Sequence, residues 1–126
     1  MNEPLKKDRR IVIHILKHIE NIFNTQKRFG NDVKTFGADT DYFNSACMSM
    51  LQIGELAHHL TAEFTKEHAD IPWKNIIGLR NVVVHGYGQL DIETVWAAIT
   101  DDIPELYQKC KAIIAVDSEG VSGVQG

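Results

Sequence analysis

The chain has 126 residues, of which 44% are hydrophobic and 24% charged, with a formal net charge of -4 at pH 7. That length suits one domain able to bury about two-thirds of the surface its unfolded chain would expose, with no need of a disulfide or metal staple. The acidic balance excludes a bulk positive field for recruiting duplex nucleic acid, and no stretch approaches the roughly 20 uninterrupted apolar residues of a membrane span.

The first residues mix acidic and basic side chains and carry no apolar leader segment, so a soluble, cytoplasmic protein is expected. Basic KKDRR, residues 6–10, reads as the solvated edge of a helix rather than a polyanion site. From Asp8 onward Ile11, Ile15, Ile19 and Ile22 recur at helical spacing, widened by Val12 and Phe23, until Gly30 and Asn31 end the first helix. A polar connection follows. Asp39 or Thr40 can cap a second helix, in which Phe43, Ala46, Met50, Ile53, Ala57 and Leu60 form an apolar seam. Cys47, Met48 and Leu51 broaden that seam, so this helix is expected to be central or to meet a second subunit. Cys47 and Cys110 lie within apolar patterns without CxxC spacing and read as reduced core thiols.

Residues 61–68 predict a short helix, broken at Ile71 and Pro72. The next helix is predicted over 73–85, with Gly86 and Gly88 stopping it and turning the chain round Tyr87. Its valine run, Val82 to Val84, favours a strand but is too short to outweigh the helical pattern around it. Asp91 can cap a helix through Trp96 and Ile99, and Asp102 with Glu105 spells a capping box for the last one. Trp73 and Trp96 occupy core positions of these patterns. Three glycines after Ser118 predict a flexible tail over 118–126, leaving 1–117 as one all-α domain, an antiparallel helical bundle.

Chemistry concentrates in RNVVVHGY, residues 80–87. Cleaving RNA without a metal needs a group that exchanges a proton with the 2′-hydroxyl or the leaving 5′-oxygen, and a fixed positive charge where the phosphorane gathers negative charge. His85 and Arg80 are of the right types. Five helical positions separate them by about 140°, an offset the long guanidinium arm can cover, and Asn81 sits one turn before His85. Tyr87 can direct its hydroxyl into the same volume. A structural reading of the same residues stands beside this one. A helix C-terminus favours Arg and His electrostatically, Asn81 can cap, and Tyr87 can pack against the turn. Glu55, between Ile53 and Ala57, either lies on an exposed helix surface or needs a partner such as Arg80 near the core. His58, His59 and Glu55 lack HExxH order, and no metal or cofactor motif is evident.

Taken with LQIGELAHHL (51–60), IPWKNIIGLRNVVVHGY (71–87), LDIETVW and DDIPEL, the chain resembles the HepT-like branch of the HEPN superfamily, toxin partners of MNT-type nucleotidyltransferase antitoxins. The resemblance covers roughly the middle and C-terminal two-thirds. It implies an all-helical HEPN bundle acting as a homodimer, with two motifs facing one RNA-cleaving cleft. By position, Arg80 would polarise the phosphate and His85 would transfer protons during 2′-hydroxyl attack, leaving a cyclic phosphate, with Asn81 and Glu55 in support. Tyr87 matches the tyrosine that the cognate enzyme adenylylates to suppress the toxin in a type VII pair. The alternative within the same resemblance is a noncatalytic dimeric module that binds RNA or the nucleotidyltransferase.

Overall fold

A computed structural model describes residues 3–89 and 91–125, with side chains described over 5–85 and 91–116. The described residues are helical, without a strand. The order is α1 (Glu3–Phe29), α2 (Val33–Ala38), α3 (Thr40–His58), α4 (Ala62–Glu67), α5 (Trp73–Ile77), α6 (Leu79–Gln89), α7 (Ile92–Ala97) and α8 (Ile103–Gln125).

α1 ends where Gly30 takes φ 120°, a left-handed conformation that costs a glycine little. Antiparallel packing of α1 on α3 is pinned at both ends. Thr61 N and Oγ1 donate to the two Asp8 carboxylate oxygens at 2.9 and 2.7 Å, and Asn21 Nδ2 donates to Ser49 Oγ at 2.9 Å. Asp8 is therefore a fully buried carboxylate with both oxygens hydrogen-bonded, which the basic run around it does not suggest. Ile11, Val12, Ile15, Ile19 and Ile22 meet Phe43, Ala46, Met50, Ile53 and Ala57 in one core, and α5, α6 and α8 close it with Ile76, Leu79, Val83, Ile103, Leu106 and Ile113. α3 packs against α1, α2, α5 and α6, the central place expected of it. Burial pushes the Cys47 thiol up to about 11 and the Cys110 thiol up to about 12, so both stay protonated and unreactive.

Four features differ from the sequence expectation. The connection after α1 contains α2, capped by Asp32, whose carboxylate accepts from Thr35 N at 2.8 Å. The helix predicted over 73–85 is two, parted at Gly78. Gly86 and Gly88 do not stop α6, which runs to Gln89; ladder hydrogen bonds outweigh the conformational freedom of two glycines. Asp102 caps nothing, because Ala98–Asp102 is a π-helical turn that runs straight into α8 and leaves no free amide end to cap. The predicted caps at Asp39 and Asp91 are present, accepting from Tyr42 N and Thr94 N at 3.1 and 3.2 Å. The tail expected from 118 falls in the last turns of α8, with side chains beyond 116 outside the described residues.

Tyr42 is fully buried among Phe29, Phe36 and Trp96, and its hydroxyl has no hydrogen-bond partner among the described residues. Removing an unsatisfied buried hydroxyl removes its desolvation cost, so Tyr42→Phe is expected to gain about 1 kcal/mol. Denaturant unfolding reads this directly; a loss of stability would mean that the hydroxyl is in fact bonded.

Candidate active site

α6 holds Arg80 at its second position, Asn81 and Val84 on the adjoining surface, and His85 one turn beyond Asn81. Asn81, Val84 and His85 are exposed, while Val83 points into the core. The valine run therefore forms no strand: one valine seals the helix against α3, and its neighbour Val84 stays 63% exposed within the polar face. The side chain of Tyr87, singled out as the modification site, lies outside the described residues.

Helix electrostatics do not account for this face. Arg80 stands in the N-terminal turn of α6, where the helix dipole disfavours a cation, not at the C-terminus. What holds it is Glu55. Arg80 Nη1 lies 3.3 Å from Glu55 Oε2, and the other oxygen, Oε1, lies 3.4 Å from Nε2 of His59, the residue that caps the C-terminal end of α3. With the two side chains of the Arg80 pair 41% and 49% exposed, the ion pair contributes at most about 0.5–1 kcal/mol to stability. Its effect is to orient the guanidinium, leaving further donors of the fork free for phosphate oxygens.

Gly54 makes that pairing possible. A Cβ at this position would lie 2.8 Å from Arg80 Cγ and 3.2 Å from both Arg80 N and Ile77 O. The absence of a side chain lets the junction of α5 and α6 press onto α3 beside the next residue, Glu55. The adjacent pair Gly54 and Glu55 thus divides the work: the first admits Arg80, the second holds it.

Of the residues expected at the site, Arg80 and Glu55 are in contact, and Asn81 and His85 share the exposed surface of α6. Glu55 itself is on the surface, one of the two placements its position left open. His59 joins the site through Glu55, a link whose only sequence signal is the four-residue spacing between them. Gly54 carried a signal too, since a glycine inside an amphipathic helix costs about 1 kcal/mol and implies a packing reason. Among the described residues no group of three His, Cys, Asp or Glu side chains could hold a metal ion. None of the described helices is long and apolar enough to cross a membrane.

The fold and the site together define a small all-α protein that carries a partly exposed arginine and an exposed histidine on one helix, the arginine anchored by a carboxylate from the central helix. The chain matches the Ribonuclease HepT-like family over residues 8–113 and belongs to it. Among its curated relatives, a candidate RNase of Caldanaerobacter subterraneus subsp. tengcongensis is 31% identical over 110 residues, 87% of this chain and 96% of that one. A candidate RNase of Methanocaldococcus jannaschii is 27% identical over 92 residues, 66% and 84% of the two chains. A probable ribonuclease HepT of Thermococcus cleftensis is 32% identical over 57 residues, 45% of this chain and 52% of that one. No solved structure matches the chain. At the level of the family, the protein is a HepT-like ribonuclease.

Proposed function

We propose that the protein is a metal-independent endoribonuclease, the toxin of a type VII HepT/MNT pair, acting as a homodimer. The observation that carries this reading is the Glu55 anchor on Arg80, which holds a partly exposed cation on the same short helix that exposes His85. In the reaction the substrate's 2′-oxygen attacks the adjacent phosphorus and the bond from phosphorus to the 5′-oxygen breaks. An imidazole takes the 2′-hydroxyl proton and an imidazolium returns one to the leaving 5′-oxygen, giving a 2′,3′-cyclic phosphate and a 5′-hydroxyl. Two copies of His85 facing one cleft divide those tasks, and two copies of Arg80 concentrate charge on the phosphorane. Exposed Val84, set among these polar residues, supports a subunit contact at this face.

Control follows from the position of Tyr87, two residues past His85. A cognate MNT-type nucleotidyltransferase antitoxin would join the tyrosine oxygen to the α-phosphorus of ATP with release of pyrophosphate. The added AMP would put bulk and negative charge beside Arg80, blocking substrate phosphate. Intact-mass analysis after incubation with that enzyme and ATP tests the step: wild type gains AMP and Tyr87→Phe does not.

The nuclease reading is tested by mass spectrometry of a defined RNA pool incubated in EDTA with unmodified wild type and with His85→Ala. Cyclic-phosphate ends made by wild type alone are the expected result. No cleavage by dimeric, unmodified wild type would replace this reading with a noncatalytic module that binds RNA or the nucleotidyltransferase.

A further inference from the structure

Charge is segregated along this chain. α1 carries seven lysines and arginines against three carboxylates, a formal +4, and the remaining residues carry six against fourteen, a formal -8, which together make the net -4. Within α1 the segregation is finer still. Lys7, Arg10, His14 and Lys17 follow one another at steps of three, four and three residues, so they share one face, and all four are exposed. The stripe spans about 15 Å at 1.5 Å per residue.

No ion pair to it from its own helix is seen among the described side chains. Of the carboxylates on α1 whose side chains are described, Asp8 is buried against Thr61, and Glu20 accepts from Tyr107 Oη at 3.2 Å on the α8 side. Across from the stripe lies α3. His14, Lys17, His18 and Asn21 form one wall of an open groove, and Ser45, Met48 and Ser49 form the other. Met48 is 58% exposed there, and Gln52, Glu55 and His59 continue the same outward line of α3 at helical steps. The two antiparallel anchors, Asp8 to Thr61 and Asn21 to Ser49, put Arg10 and His14 alongside residues 55–60. The stripe therefore flanks the segment whose Glu55 holds Arg80.

We infer that this edge of α1 is the phosphate track for a single-stranded RNA, carrying the strand across α3 to Arg80. The inference rests on the RNA-cleaving reading and supplies what the acidic net charge conceals, a local positive surface adjoining the site. Lys7, Arg10 and Lys17 on one face, with Asp8 turned into the core, complement a strand's repeating negative charge, and contacts of that kind position a backbone without reading its sequence. His18, whose pKa burial and neighbouring His14 lower, adds little charge to the groove near neutral pH.

Binding is measured with a 2′-O-methylated single-stranded RNA, which lacks the nucleophile, so the result does not depend on cleavage. The protein is full-length His85→Ala, alone or with Lys7→Gln, Arg10→Gln and Lys17→Gln together, and the control triple is Lys66→Gln, Lys74→Gln and Lys111→Gln. The track triple is expected to lose at least about tenfold in affinity and to flatten the slope of log K against log salt by about 2, three contacts at roughly 0.7 each. The control triple keeps both values. Unchanged affinity in the track triple, equal loss in both triples, or no RNA binding by the parent protein at low salt would overturn the inference. So would a track triple that still binds RNA but loses binding to phosphatidylserine vesicles, which would assign the stripe to a membrane surface. RNA bound through α1 by a wild type that cleaves nothing would leave the track standing and remove the nuclease reading.

Discussion

Arg80→Ala is expected to lower the rate of RNA cleavage by about 10²–10³-fold, the usual consequence of removing one preorganised donor from a developing oxyanion. Arg80→Lys keeps the charge but loses the planar fork, so it recovers only part of that loss. Glu55→Gln is expected to be milder, because it removes the partner that orients the guanidinium and not the guanidinium itself. If Glu55 acts through Arg80, adding Glu55→Gln to Arg80→Ala costs nothing more, whereas an independent role would make the two losses multiply. Single-turnover cleavage of one defined RNA by the four proteins completes the cycle. Thermal unfolding should barely move, since an exposed ion pair is worth so little to the fold. Full activity in Arg80→Ala would end the assignment of this face as the active site.

Gly54→Ala should injure both stability and activity. One methyl group at this position meets Arg80 Cγ at 2.8 Å, which a side chain can partly yield, but it also meets Arg80 N and Ile77 O at 3.2 Å. Those backbone atoms belong to the α5 and α6 junction, so relief requires the junction to move off α3. Overpacking of this kind costs roughly 1–3 kcal/mol. Displacement of Arg80 by even part of an ångström breaks its alignment with Glu55, and cleavage is expected to fall at least about tenfold. Urea unfolding and the same single-turnover assay read the two effects together. A variant with wild-type stability and rate would show that α3 and α6 have slack that their contact distances do not suggest.

The periodicity of α1 and α3 was legible residue by residue: the isoleucines of the first and the seam from Phe43 to Ala57 of the second are the buried core. Such long stripes are decided locally, by which positions a 3.6-residue repeat brings to one side. Short elements were harder to read. α2 has six residues, too few for a periodic signal, and exists because Asp32 caps it and Phe36 buries itself against Tyr42, Phe43 and Trp96. Gly86 and Gly88 carry the ordinary signal for a helix end, yet the backbone remains helical through them. Asp102 and Glu105 spell a capping box, yet the helix never breaks there.

Residue types and spacing set the chemistry available to this protein: one permanent cation and one titratable imidazole within six residues, on an otherwise acidic, helical chain. Which of them meet was decided in three dimensions. Glu55 and Arg80 are 25 positions apart, and their contact depends on the close approach that Gly54 allows between α3 and α6. The α1 stripe likewise gains its meaning from what lies beside it. Helical repeat placed Lys7, Arg10, His14 and Lys17 on one face, but the antiparallel register with α3 is what sets that face alongside the segment holding Arg80, because side chains far apart in sequence become neighbours only through packing.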